Sequence, residues 1–125
     1  MDLGWLDTCL RVRDFEASER FYRLLGFTMV EGEPDRGWGV FVRGEARIGL
    51  FSPEYMNEDS FCLNFRGGNV PGVLEHLIQN NIDPIEPPIL KDERSGSIKL
   101  RDPDGNLVFI DCVPGETQIN LPTLD

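Results

Sequence analysis

The chain has 125 residues, 40% of them hydrophobic and 10% aromatic, enough for one folded domain with its own core and unlike a disordered chain. Its 22 acidic against 12 basic residues leave a net charge of -10, which repels nucleic-acid phosphates and anionic membrane surfaces, so neither is an expected partner. No apolar run approaches the roughly 20 residues of a membrane helix, and the start lacks the basic flank of a secretion signal. A cytoplasmic location is expected, and Cys9, Cys62 and Cys112, odd in number and widely spaced, read as reduced thiols.

In chain order, Leu6, Thr8, Leu10 and Val12 alternate with Asp7, Cys9, Arg11 and Arg13, the period of a strand. Asp14 has the chemistry of a helix N-cap, because its carboxylate can accept from first-turn amides. The spacing predicts a helix over 16–25 whose inward stripe is Ala17, Phe21, Leu24 and Leu25, ended by Gly26 in a left-handed conformation. Strands follow at 27–31, 37–42 and 46–51, the last two joined through Arg43, Gly44 and Glu45.

The order then repeats. Phe61, Leu63 and Phe65 alternate with Cys62, Asn64 and Arg66, Asn69 takes the capping place, and Pro71 falls in the first turn, where a missing amide costs little. Val70, Val73, Leu74, Leu77 and Ile78 make the apolar stripe, and Asn81 ends the helix. One constant offset maps Asp14 onto Asn69 and Gly26 onto Asn81, so the repeat shows in capping chemistry as well as in hydrophobicity. A short strand near Ile85, a loop over 86–95, a strand over 97–101, a tight turn and a last strand over 107–113 complete a second unit. The reading is a single domain of modules 3–52 and 59–113 with a polar tail, 114–125, that is loose or docks against a partner.

The turn Asp102-Pro103-Asp104-Gly105-Asn106 running into an apolar strand, with the strand and amphipathic helix that lead to Gly26 and Phe27, resembles the vicinal-oxygen-chelate superfamily of glyoxalases, bleomycin-resistance proteins and extradiol dioxygenases. The resemblance covers residues 3–113 and implies an α+β fold: two βαβββ modules forming a cupped, incomplete β-barrel with a helix covering each module. It implies ligand sites inside the cup. It does not name a reaction, because one fold hosts many chemistries.

Metal-dependent members hold a divalent ion with four ligands, which this pattern places at Asp7, Gly49, Cys62 and Phe109. Gly49 has no side chain and Phe109 only an apolar ring. Asp7 and Cys62 pair a hard with a soft donor, and His76, the single histidine, lies on the second helix. No metal and no cofactor are therefore expected, and the departure favours the metal-free, bleomycin-resistance-like branch.

Strand parity points Asp7, Cys9, Arg11, Arg47, Gly49, Phe51, Cys62, Asn64, Arg66, Lys99, Arg101, Phe109 and Asp111 inward, with Trp38 beside them. The expected ligand-binding residues are Asp7, Trp38, Phe51, Cys62, Asn64, Arg66, Arg101 and Phe109, aromatic walls with a few polar groups for a small molecule. Arg11 and Arg66, equivalent under the repeat, are candidates for clamping an anion, whereas the outer charge favours a cation; the charge of the ligand stays open. The expected function is metal-independent sequestration of a small, partly aromatic molecule by a homodimer. The alternatives are a lyase, isomerase or dioxygenase using a divalent metal or Asp7 as base, catalysis through Cys62, and a regulatory module whose tail binds another protein.

Overall fold

The computed structural model describes residues 1–56 and 61–116. Its described residues divide into two compact units, one within Asp7–Cys62 and the other formed by Met1–Leu6 with residues 63–116. In chain order the elements are β1 (Gly4–Arg11), α1 (Phe15–Leu24), β2 (Thr28–Glu33), a 3-10 turn (Pro34–Arg36), β3 (Trp38–Arg43), β4 (Ala46–Phe51), β5 (Phe61–Gly67), α2 (Val70–Gln79), β6 (Ile89–Leu90), β7 (Gly96–Arg101) and β8 (Leu107–Cys112). This is the expected α+β class with the βαβββ order occurring twice. Among the described residues no helix is long and apolar enough to cross a membrane.

In the β1–β4 unit the strands run in the order β2-β3-β4-β1, antiparallel except for β1 against β4, which are parallel. The Asp14 side chain accepts from Ala17 N at 3.1 Å and starts α1, and Gly26 closes it with φ 96°. Phe15, Phe41 and Leu50 form the core between helix and sheet, flanked by Leu10, Val12, Tyr22, Phe27, Met29 and Ile48. The predicted inward stripe of α1 is therefore corrected: Phe21, Leu24 and Leu25 are 56%, 86% and 51% exposed. Phe15, in the first turn, packs on Phe41 and fixes which side of the helix faces the sheet, with Tyr22 two turns on meeting Phe27 edge to face. Arg23 lays its guanidinium 5.6 Å from the Phe41 ring centre, covering the same core with an amphipathic side chain.

In the β5–β8 unit the order is β5-β8-β7-β6, with β5 and β8 parallel and the other pairs antiparallel. Asn69 caps α2 by accepting from Gly72 N at 3.0 Å, and Asn81 stands at φ 58° where Gly26 stands in the first module, so the repeat in capping chemistry is real. Val70, Val73 and Leu77 pack on Ile98, Ile110 and Cys112; Ile78 stays outside at 64% exposure. The strand expected near Ile85 lies instead at Ile89–Leu90, inside the predicted loop. Ile85 N still donates to Lys99 O at 3.0 Å, but Pro87 and Pro88 have no amide hydrogen and interrupt the ladder until Ile89.

The turn before β8 is held by Asp102. One carboxylate oxygen accepts from Asp104 N and Asn106 N, the other from the Asn106 side chain at 2.8 Å, and Gly105 takes φ 87°. The Asn106 side-chain amide, then its backbone amide, holds the Asp102 carboxyl below its ordinary range. The tail beyond 116, where a partner contact was expected, lies outside the described residues.

Candidate functional site

The face of the β1–β4 sheet turned away from α1 consists of rows that cross the strands. Cys9, Gly49 and Val40 are register partners in one row, and Arg11, Phe51 and Trp38 in the next. Asp7, one step the other way on β1, is 1% exposed and accepts from Arg47 Nε on β4 at 2.5 Å, with the Arg47 side chain 15% exposed. This pair joins two residues of the predicted inward set, but no motif announces it. Only the parallel register of β1 and β4 brings them side by side.

The absent side chain of Gly49 is put to use. A Cβ there would lie 2.5 Å from the Phe51 ring and 3.2 Å from Cys9 Sγ, so the ring occupies the space that a side chain at 49 would fill. Phe51 in turn stacks on Trp38, with planes 3° apart and centroids 6.0 Å apart. Both rings are half-buried, and Cys62, on β5, is buried.

In the β5–β8 unit, Asn64, Arg66, Lys99, Phe109 and Asp111 share the face opposite α2, as parity predicts, because their strand neighbours Phe65, Ile98, Leu100, Val108 and Ile110 pack toward the helix. Asn64, 8% exposed, donates from its side-chain amide to Asp111 Oδ1 at 2.7 Å and to Phe109 O at 3.1 Å. Arg66 ion-pairs with Glu116 at 3.0 Å and stacks on Trp5 at 5.5 Å from the ring centre. Trp5 lies over Gly67, where a Cβ would meet its ring at 2.2 Å. Arg101 is exposed at the strand end and donates to Gly105 O at 3.1 Å, and Lys99 pairs with Glu86 at 3.4 Å.

Glu116 is the partner that sequence reasoning missed. It sits in a polar tail with no periodic signal. The Cys112 thiol, 3% exposed, is pushed up by burial and then by the nearby Glu116 carboxylate, which leaves it poorly activated.

Three of the four positions that the resemblance gives to metal ligands do not fit a cation. Asp7 is engaged by a guanidinium, the space at Gly49 is filled by a phenyl ring, and Phe109 offers no donor atom from its side chain. His76 is exposed in the last turn of α2. Among the described residues no three His, Cys, Asp or Glu side chains are grouped so as to hold a metal ion.

With two βαβββ modules, capped alike, and the Asp-Gly turn feeding the last strand, the architecture is that of the vicinal-oxygen-chelate proteins. No family model matches the sequence, and no curated protein does. Solved structures do. A glyoxalase/bleomycin resistance protein/dioxygenase superfamily member from Vibrio splendidus, 14% identical, matches 87% of this chain and 98% of its own with a TM-score of 0.63. The NAD-dependent benzaldehyde dehydrogenase structure from Legionella pneumophila, 23% identical, matches 87% and 99% with a TM-score of 0.71. A Streptomyces coelicolor methylmalonyl-CoA epimerase variant, bound to 2-nitronate-propionyl-CoA, is 15% identical and matches 90% and 99% at 0.61. This chain therefore has the glyoxalase/bleomycin resistance/dioxygenase superfamily fold. At these identities the likeness defines architecture and leaves the chemistry to the residues.

Proposed function

We propose that the protein is a metal-independent small-molecule-binding protein of the bleomycin-resistance-like kind, sequestering a partly aromatic ligand as a cytoplasmic homodimer without a cofactor. One observation carries this reading: on the β1–β4 sheet, the Asp7 carboxylate is taken up by Arg47 and the place of a ligand at 49 is filled by Phe51, which builds an aromatic pair with Trp38 instead. The face gives up donors for a cation and gains ring surface for an apolar, planar partner.

The test is a panel of aromatic natural-product and metabolite ligands read by thermal shift. A ligand present at about 100 times its Kd stabilises the folded state by roughly 2.7 kcal/mol, a readily measured rise in Tm. A panel in which no compound raises Tm, together with a crystal structure showing solidly packed inner faces, contradicts the proposal. Sedimentation at micromolar concentration tests the dimer.

The second reading, a lyase, isomerase or dioxygenase that uses a metal or Asp7 as base, draws on the near-complete burial of Asp7. A base must offer a lone pair to substrate, and Oδ1 already accepts from Arg47 Nε.

A further inference from the structure

We infer that the ligand of this protein is a planar aromatic anion, its ring laid against Trp38 and Phe51 and its carboxylate or similar group held by Arg11. The inference rests on the binding function proposed above and adds the charge of the ligand and the residue that selects it. Arg11, Phe51 and Trp38 are successive register partners across β1, β4 and β3, so a cation, a phenyl ring and an indole stand in one row on one sheet face. Strands lie about 4.8 Å apart, which places a charge at Arg11 within one to two ring widths of the aromatic pair.

The row is pinned at its ends. Val12 N donates to Phe51 O at 2.9 Å, and Ser52 N donates to Gly37 O at 2.8 Å, so the three strands hold their register where the side chains would have to act together. Gly49 lets Phe51 lean over its own strand, and the 3° angle to Trp38 makes the two rings parallel. A third planar group can extend that arrangement with an offset stack.

Charge decides the rest. On this unit Arg20, Arg23, Arg36 and Arg47 are engaged in ion pairs, and among the described residues Arg11 has no acidic partner. At the far end of the same row, beyond Trp38, Glu33 is engaged by Arg36 at 3.4 Å. The uncompensated charge beside the rings is thus positive. The net charge of -10 opposes an anion only at long range, because salt screens exposed charges beyond about 8 Å, whereas a guanidinium in contact with a carboxylate acts within that distance.

Isothermal titration with three probes of one ring system tests this: 2-naphthoate, 2-naphthalenemethanol and 2-naphthylmethylammonium, titrated into the full chain and into Arg11→Gln and Trp38→Leu. The expected result is that 2-naphthoate binds about tenfold more tightly than the neutral and cationic probes, that Arg11→Gln abolishes this preference while keeping ring binding, and that Trp38→Leu weakens all three. Arg11 is exposed, so its variant is expected to melt with the wild type, which a thermal scan verifies. Binding without preference for the anion, or a preference that survives in Arg11→Gln, overturns the inference and leaves the binding function standing. If none of the three probes binds the wild-type chain, the aromatic binding site itself fails and the inference with it.

Discussion

Replacing Arg47 by Met tests the account of the β1–β4 sheet most sharply, because it removes the charge beside Asp7 while keeping a side chain of similar length. Asp7 is 1% exposed, so the variant leaves a carboxylate buried without its guanidinium. Breaking one side of a buried pair costs about 3–5 kcal/mol, and the 15% exposure of Arg47 argues for the lower end, about 3 kcal/mol. For a chain of this length that loss lowers Tm by roughly 10 °C. Urea denaturation gives the free energy directly, provided the m-value is unchanged. The second arm is the double variant Asp7→Asn with Arg47→Met. Since the neutral amide removes the stranded charge, the double variant is expected to be more stable than Arg47→Met alone. If Arg47→Met loses less than about 0.5 kcal/mol, or the double variant is the less stable of the two, the pair does not act as described.

Gly49→Ala sets a methyl group 2.5 Å from the Phe51 ring and is expected to cost about 1–3 kcal/mol by urea denaturation while disturbing the Trp38 fluorescence; a neutral effect would show that the ring does not occupy that space. Asp14→Ala and Asn69→Ala each remove an N-cap and should cost about 0.5–2 kcal/mol in the same assay. Asp102 has a depressed folded value, so its contribution is present above its ordinary value of 3.8 and is lost as pH falls through the lower folded value; Asp102→Ala should lose stability at neutral pH and show a shallower acid limb in Tm against pH. Cys112 has the opposite sign. Its raised thiol loses stability as pH rises from the ordinary value of 9.0 toward the folded one, and in the native protein at neutral pH it should resist alkylation by iodoacetamide, reacting in step with unfolding by mass spectrometry.

The parts legible in the sequence were those governed by local chemistry. Asp14 and Asn69 cap as their side chains allow, Gly26 and Asn81 take left-handed conformations, and the alternation of β1, β5 and β8 assigns side chains to the correct faces. Where a nonlocal choice decides, the sequence was ambiguous. Phe21, Leu24 and Leu25 have helical spacing, yet a second stripe containing Phe15 and Tyr22 competes with them, and packing on Phe41 selected it. The position of β6 depended on two prolines that break a ladder rather than on hydrophobicity. At the candidate site, parity placed Asp7, Arg47, Phe51 and Asn64 on their faces, but the partnerships of Asp7 with Arg47, Asn64 with Asp111 and Arg66 with Glu116 follow from strand register and a turn beyond the last strand. Those are properties of the folded chain and leave no trace in residue spacing.

On the proposed reading, none of Asp7, Gly49, Cys62 and Phe109 serves as a metal ligand. Elemental analysis of protein purified without chelators, followed by titration with zinc, manganese, nickel and iron(II), tests it directly. The account predicts substoichiometric metal and titrations indistinguishable between wild type and Asp7→Ala. One tightly held ion per chain, lost in Asp7→Ala, would contradict it and return the protein to the metal-dependent enzymes of its fold.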